Sequence, residues 1–558
     1  MEKKTLRNIL FIYFSLVIIK ILIASLVKSP TIFADEYYYM RMARSFFNNH
    51  TFFIDNTFST SYPPLYPILT SIAYIFKDMQ LVYFFMKVIN SLISSLMIVP
   101  IFLIAKEFFN EKKSVLIALL ISVMPPFFII SFYILSENLF YTLFLSSVYF
   151  VYKAFKENKL RYDLLAGFLI GLTLLTRVIG AIVLVLVIFL MILLKNKISI
   201  KNKFISIIIP ILMYIPWMFI ANYHLKNTDI IRVTGYELTI TNILQTKYIT
   251  HALYWIPLNL TYIILSTGII FFLAYIMFIK SKEYKNNSWH IFYLLASILL
   301  VLFLALSSIY NLAYTDPNNF LVGRPIERYF ASLLPLIVIA GLIGIENNVI
   351  FNNNKLLKAI ILISLLFVIS APLTLYTLFP ANNPSLIYLG IASFLVELLT
   401  KYKIIVMIIT LAILPLIVIK VYRLNMRVIL TIFLIFFSLV SMLNVSFIVY
   451  NANTKWYSLD QTKLGLWLNE MDKGKSTILF DKRDIDRDFR WDSPNLNQRE
   501  RSIGIIGFWL NNDIIIGDVV NDRDKVDFII STEKLDLQIV NQGKSSESRN
   551  IYIYKADK

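Results

Sequence analysis

"TIFADEYYYMRMARSFFNNHTFFIDNTFSTSYPPLYPILTSIAY", residues 31–74, lies between two long apolar runs and carries an adjacent pair of acids, Asp35 and Glu36, near its start. Neighbouring carboxylates repel each other, and neither enters lipid without cost. A solvated loop scatters such charges among Gly, Ser and Lys. Here they are followed by Tyr37, Tyr38 and Tyr39, and then by the cluster Tyr62, Pro63, Pro64, Tyr66 and Pro67. The stretch reads as a structured surface at the mouth of a membrane span.

The rest of the chain agrees. Of its 558 residues 58% are hydrophobic and its mean hydropathy is +0.69, well above the roughly 45–50% apolar share of soluble domains. This is the composition of a polytopic α-helical membrane protein. The formal charge of +18 does not mark a nucleic-acid binder, because the basic residues sit in short runs between apolar segments, where orientation in the membrane accounts for them. With no cysteine and four histidines, disulfides and thiolate metal sites are excluded, and a histidine-based metal site has little to build on.

Orientation follows loop by loop. The basic amino terminus "MEKKTLRN" precedes an apolar run near residues 9–27 with no small-residue cleavage site, so the first span is expected to be retained with its amino end in the cytoplasm. The basic loops at 106–113, 153–161, 195–203 and 280–287 then fall on the cytoplasmic side, which puts residues 28–80, 133–137, 222–257 and 311–328 outside. After residue 358 four apolar runs remain, at 359–379, 384–400, 404–420 and 428–449. The basic stretch 420–427 stays inside only if 384–403 is an interfacial helix, which gives about thirteen spans of about 20 residues each. The expected division is therefore a membrane domain at 1–449, with its first outer loop at 28–80, and a tail at 450–558. In the tail, short strand-like segments ("STILF" 476–480, "DIIIG" 513–517, "VDFIIST" 526–532, "NIYIY" 550–554) alternate with a helix-like "TKLGLWLNEM". It reads as a small extracytoplasmic α/β domain without a nucleotide-binding glycine pattern.

An outer loop that opens with "ADEYYY", continues through "MRMARSF" and closes on "YPPLYPILTSIAY" resembles the polyprenol-phosphate-dependent glycosyltransferases of the GT-C superfamily. Within it, the resemblance is to the protein O-mannosyltransferase and lipid A aminoarabinose transferase group. "LSENLFYTLFLSSVYF" (135–150), "LTLLTRVIGAIVLV" (172–185) and "GRPIERYFASLLPLIVIAG" (323–341) extend it, in order, to roughly residue 345. The resemblance implies a membrane enzyme that moves a sugar from a polyprenyl-phosphate donor to a hydroxyl acceptor, by an inverting displacement, on the outer face of the cytoplasmic membrane.

Such a transfer needs a base for the acceptor and cationic groups for the departing phosphate. By resemblance Asp35 is the catalytic aspartate, with Glu36 orienting the acceptor or assisting the same step, and Glu137 in "SEN" is the second acid of the cavity. The plainer readings are that Asp35 and Glu36 cap the helix "EYYYMRMARSFF" and that Glu137 reaches solvent from the membrane boundary. Guanidinium groups match phosphate oxygens and stay charged when desolvated. Arg328 and Arg324 are accordingly expected at the donor phosphate, and Arg177 either joins them or pairs with an acid; otherwise the arginines are interfacial anchors or partners of Glu327 or Glu137. Tyr37, Tyr62 and Tyr66 are candidate sugar-stacking surfaces. His251, like His224, lies in the loop 222–257 and is expected to face substrate or pack rather than bind metal. No cofactor is called for; a divalent metal stays open, although no DxD pattern occurs in the outer loops before the tail.

Other classes leave other marks. A transporter or lipid flippase places ionisable groups near the bilayer midplane and shows internal repeats, whereas here the acids sit at the outer face and the halves do not repeat. A glycan polymerase or ligase with a diphosphate-linked donor is the nearest competitor among enzymes, and a non-catalytic lipid-binding relative is the third alternative. The sugar, the acceptor and the carrier length are not encoded in any recognisable pattern.

Overall fold

A computed structural model describes residues 3–31, 33–58, 62–195, 199–225, 246–281, 289–312, 326–347, 383–387, 420, 424–481, 502–544 and 550–556. Among these, five helices are long and apolar enough to cross a membrane: Lys3–Leu26, Met79–Lys106, Ile200–His224, His290–Ile309 and Met426–Trp456. Two bent pairs bring the number to as many as seven. Glu111–Ser122 turns by 76° into Pro125–Phe132, and Trp255–Ser266 turns by 110° into Ile270–Ser281. The first bend falls at Pro125 and Pro126, which cannot donate to the preceding turn. The second falls at Gly268 (φ 78°) and Ile269 (φ 61°), where glycine is the residue that takes a left-handed backbone without strain. Of the apolar runs expected after residue 358, only 428–449 is described, as the helix Met426–Tyr450. The interfacial helix expected at 384–403 and the total of about thirteen spans lie largely outside the described residues.

Lysines inside the bundle tie its helices together. A cation at membrane depth requires partners. Lys20 donates to Ser94 Oγ at 2.9 Å and to the Phe127 carbonyl at 3.2 Å. Lys87 donates to the carbonyls of Ala24 and Val27, which lie at the end of the first helix, where carbonyls lack partners of their own. The backbone leaving that helix is also held by Asn453, which accepts from Lys28 N at 3.0 Å and donates to Leu26 O at 2.9 Å. The strand of chain that leads to Asp35 is thus pinned on two sides. At the opposite end of the helices, Glu107 pairs with Lys153 and Lys156, and Lys113 with Glu346, so the loops at 106–113 and 153–161 lie side by side.

The first loop folds into a helix, Phe33–Asn49, a two-residue-per-strand hairpin, Phe53–Ile54 with Thr57–Phe58, and a short helix, Leu65–Ser71. Asp35 and Glu36 fall in the first turn, where negative charge complements the helix dipole. The helix begins at Phe33, three residues before the Glu36 that the capping arrangement requires, so Asp35 is inside the first turn rather than at its cap. The hairpin packs on the helix Ile200–Leu225 through aromatic rings. Phe58 stacks on His224 with ring centres 4.8 Å apart, and Phe52 meets Trp217 edge-on at 5.3 Å, which gives His224 a packing role.

Beyond residue 460 the described chain forms a five-stranded sheet in the order 513–517, 477–481, 528–531, 550–555, 539–544. The first three strands are parallel, and the last two are antiparallel to their neighbours. Alternation along Thr477–Asp481 explains the layers: Ile478 and Phe480 face Leu464, Leu468 and Ile506, while Leu479 faces Val519, Val526 and Tyr554. Four of the five strands coincide with the segments read as strands; Ile539–Lys544, an edge strand with mostly exposed residues, lacks their apolar run.

Candidate active site

Asp35, Glu137, Arg177 and Arg328 come from four separate segments and meet in one cluster. Asp35 Oδ2 lies 2.8 Å from Arg328 Nη1, and Asp35 Oδ1 accepts from the Tyr62 hydroxyl at 3.2 Å. Glu137 Oε1 sits between the two arginines, ion-paired to Arg177 Nη1 and 3.8 Å from Arg328 Nη1. The result is an alternating chain of charge, Asp35, Arg328, Glu137, Arg177. The side chain of Asp35 is 20% exposed and that of Arg328 15%, against 2% for Glu137. Asp35 and Arg328 therefore meet whatever enters, and Glu137 stands behind them.

Local structure puts each group there. Arg177 occupies the break between the helices Leu160–Thr176 and Ala181–Leu194 in an extended conformation (φ −154°, ψ 135°), so its side chain leaves the break, not a helix face in lipid. Glu137 begins the helix Glu137–Glu157. Arg328 lies in a short 3-10 turn, and its carbonyl accepts from Tyr141 at 3.3 Å. The helix of Asp35 is fastened to the segment before Glu137 twice. Glu36 accepts from the amides of Thr31 (3.3 Å) and Ile134 (3.0 Å), and Tyr39 shares a 2.6 Å hydrogen bond with Ser136.

The electrostatics are one-sided. Burial raises the Asp35 carboxyl, but the Arg328 charge and hydrogen bond, with help from Arg177 and the Tyr62 hydroxyl, outweigh it and hold the group below the ordinary carboxylate range. Arg328 is desolvated yet kept firmly protonated, chiefly by Asp35. Beside Arg328 opens a mostly apolar pocket lined by Pro126, Ile129, Ile130, Tyr141 and Pro384. Arg328 Nε is buried with no hydrogen-bond partner among the described residues, a donor that a bound anion can satisfy.

Not every expected residue faces this cluster. Glu36 is fully buried and uses its oxygens on backbone amides. Tyr37 is buried and donates to Asp55 Oδ2 at 2.6 Å. Tyr66 is also buried, donates to Asn90 Oδ1 at 3.0 Å and meets Tyr39 edge-on. The rings of Tyr37 and Tyr66 are covered by protein and offer no face for stacking; Tyr62 alone of the three touches the cluster. Arg324 lies outside the described residues, as does the side chain of His251, whose backbone belongs to the helix Thr246–Ser266. Among the described residues no three His, Asp or Glu side chains are grouped as a metal site. Tyr141 is not singled out in the sequence, although, like Tyr39 after Asp35, it stands four residues after a cluster acid, a spacing that puts it on the helix face of that acid.

Glu327, beside Arg328, has partners other than the arginines. Its carboxylate accepts from Tyr262 at 3.0 Å, from Ser385 N at 2.9 Å and from Ser385 Oγ, while its own amide donates to Asn383 Oδ1 at 3.2 Å. It latches the turn that supplies Pro384 to the pocket. Burial pushes this carboxyl up to about 7, against the pull of the Ser385 and Tyr262 hydrogen bonds. A carboxyl raised by folding contributes stability that is complete below its unfolded value of about 4.3 and is lost as pH rises through the folded value. Glu327→Gln is therefore expected to flatten the decline in thermal midpoint of the detergent-solubilised protein between about pH 5 and pH 8; an unchanged slope counts against this assignment.

Residues 61–220 match the family model described as dolichyl-phosphate-mannose-protein mannosyltransferase. No curated protein matches the chain. Among solved structures, ArnT from Cupriavidus metallidurans bound to undecaprenyl phosphate superposes with a TM-score of 0.59 at 10% identity, covering 98% of this chain and 97% of that one. The apo state of the same protein gives 0.57 at 10% identity over the same shares. A weaker likeness, TM-score 0.47 at 13% identity, covers 93% of this chain and 69% of the archaeal oligosaccharyltransferase AglB from Archaeoglobus fulgidus. Over nearly its whole length the chain has the fold of ArnT, and its residues 61–220 match the dolichyl-phosphate-mannose-protein mannosyltransferase model.

Proposed function

We propose that the protein is a membrane glycosyltransferase that moves a sugar from a polyprenyl monophosphate to a hydroxyl acceptor. Its membrane domain, 1–449, carries the site on the outer face of the cytoplasmic membrane, and the tail, 450–558, lies on the same side. The observation that carries this reading is the Asp35 carboxylate, held ionised 2.8 Å from Arg328 beside an apolar pocket. One group accepts a proton, the other binds a phosphate, and the apolar lining beside them suits the start of a lipid chain. A site on the outer face has no access to cytoplasmic nucleotide sugars, which favours a lipid-linked donor.

The step balances within the cluster. The acceptor hydroxyl gives its proton to Asp35 as its oxygen attacks the anomeric carbon, and the bond from that carbon to the phosphate oxygen breaks from the opposite side, with inversion. The phosphodiester donor has one negative charge and the released lipid monophosphate up to two, so the phosphate gains charge as Asp35 loses it. The net charge of the cluster is conserved, which suits a site with little water. Arg328 follows the charge, releasing Asp35 as the phosphate oxygen becomes the stronger partner. Glu137 and Arg177 hold Arg328 in line, and Glu36 acts as a positioning acid through the amides of Thr31 and Ile134.

Purified protein given radiolabelled sugar on polyprenyl monophosphate is expected to release free polyprenyl phosphate when a hydroxyl acceptor extract is added. Release from a diphosphate-linked donor only, across a panel of sugars, would replace this reading with that of a polymerase or ligase.

A further inference from the structure

The helix that carries Asp35 in its first turn is held again, further along, by the tail. Arg41 lies six residues after Asp35, about 9 Å along the helix axis, and is 3% exposed. Every nitrogen of its guanidinium is used. Nε donates to Asp55 Oδ1 at 2.6 Å, Nη1 to the Leu510 carbonyl at 3.0 Å and Nη2 to the Asn512 carbonyl at 2.8 Å. Asp55, at the turn of the hairpin, also accepts from Tyr37, two residues after Asp35. One helical turn on, Arg44 donates to Asn511 Oδ1, to the Asn511 carbonyl and to Asp513 Oδ1, the last at 2.7 Å. The tail also closes on the helix by packing. A Cβ on Gly507 would come to 3.0 Å from the Tyr37 ring and hydroxyl, and Phe508 and Trp509 meet Tyr83, on the neighbouring helix Met79–Ser95, edge-on at 5.4 and 5.9 Å.

We propose that Arg41 is a positioning residue through which the seat of the tail sets where Asp35 stands relative to Arg328. The catalytic part of this inference rests on the function proposed above. The Asp35 helix is fastened to residues 134–136 through Glu36 and Tyr39, to Tyr74 through the Met40 carbonyl at 3.0 Å, and to residues 510–513 through Arg41 and Arg44. The first two hold the helix near Asp35 and at its middle, and the grip of the tail on Arg41 and Arg44 is the one that ties its direction to residues 510–513. A buried guanidinium cannot give up two carbonyls without loss, so the tail and the helix move together. Arg41 spans three segments with a planar fork, a geometry that lysine cannot reproduce.

The test uses the full-length protein with Arg41→Lys, and Gly507→Ala as a variant that disturbs the seat of the tail on Tyr37 without changing any charge. Sugar transfer is expected to lose about tenfold or more in kcat, with the donor KM nearly unchanged, as misplacement of a reacting group requires. The chain has no cysteine, so spin labels at Asn48→Cys on the exposed end of the Asp35 helix and at Val520→Cys in the tail, 83% exposed, report the seat directly. Their distance distribution is expected to be narrow in the parent and broad in both variants. An effect confined to the acceptor KM overturns the proposal in favour of a tail that only receives the acceptor, and so does an unchanged kcat alongside a broadened distribution. An unchanged distribution removes the fastening itself. If the parent transfers no sugar from any donor, the preceding function fails, while the distance measurement still decides whether Arg41 seats the tail on the helix.

Discussion

Asp35→Asn is expected to lower sugar transfer by about 10²- to 10⁴-fold, the usual contribution of a positioned general base, while leaving the lipid donor bound at least as well. Asparagine is nearly isosteric, keeps an oxygen toward Tyr62 and removes only the charge and the proton acceptor. Arg328 then loses its 2.8 Å partner and is more available to a phosphate, so the two readouts move in different directions. A misfolded protein would lose both. The measurement is the initial rate of polyprenyl phosphate release alongside the affinity for unlabelled polyprenyl phosphate. Transfer within about threefold of the parent, against the expected contribution of a base, would take Asp35 out of the chemistry.

Arg328→Ala is expected to lower transfer by about 10²- to 10³-fold, the scale seen when a donor to developing charge is removed, and to alter the pH profile in a way that Asp35→Asn cannot. In the proposed mechanism the ionised form of Asp35 is the active one, and Arg328 is the strongest influence holding its carboxyl low. In the parent the acid limb of the rate therefore lies below the ordinary aspartate value of about 3.9. Without Arg328 the burial of Asp35 is no longer opposed as strongly, its affinity for protons rises, and the limb moves to higher pH. Arg328→Lys, which keeps a charge but not the fork, should leave the limb closer to its parental position while still lowering the rate. An acid limb that stays in place in Arg328→Ala would show that the ion pair seen here is not the one that operates during turnover.

The membrane class, the strands of the tail and the acids and arginines of the cluster were all legible in the chain. Apolar runs of spanning length and strand-length runs such as "DIIIG" are local signals, and ionisable groups at the edges of apolar segments are few enough to stand out. The roles within the motif were less legible. Glu36 adjoins Asp35 in sequence, yet successive helix residues point about 100° apart, so one carboxylate meets Arg328 and the other meets two backbone amides. Tyr37, Tyr62 and Tyr66 all looked like stacking surfaces. The difference between a ring packed under the tail and a hydroxyl on Asp35 depends on elements hundreds of residues away.

By itself the sequence determined which segments are apolar enough to enter a membrane, which carry strands, and which few side chains have the chemistry for proton and phosphate handling. Those properties follow from side-chain hydration and backbone periodicity, which act within a window of some twenty residues. Only the tertiary structure decided that Arg328 and not Glu36 is the partner of Asp35, that Arg177 is committed to Glu137, that Glu327 latches the turn at Pro384, and that Arg41 and Arg44 receive the tail. Each of those is a contact between segments far apart in the chain. Such contacts arise from the packing of whole elements and the need of every buried polar group for a partner, conditions that no local stretch of sequence contains.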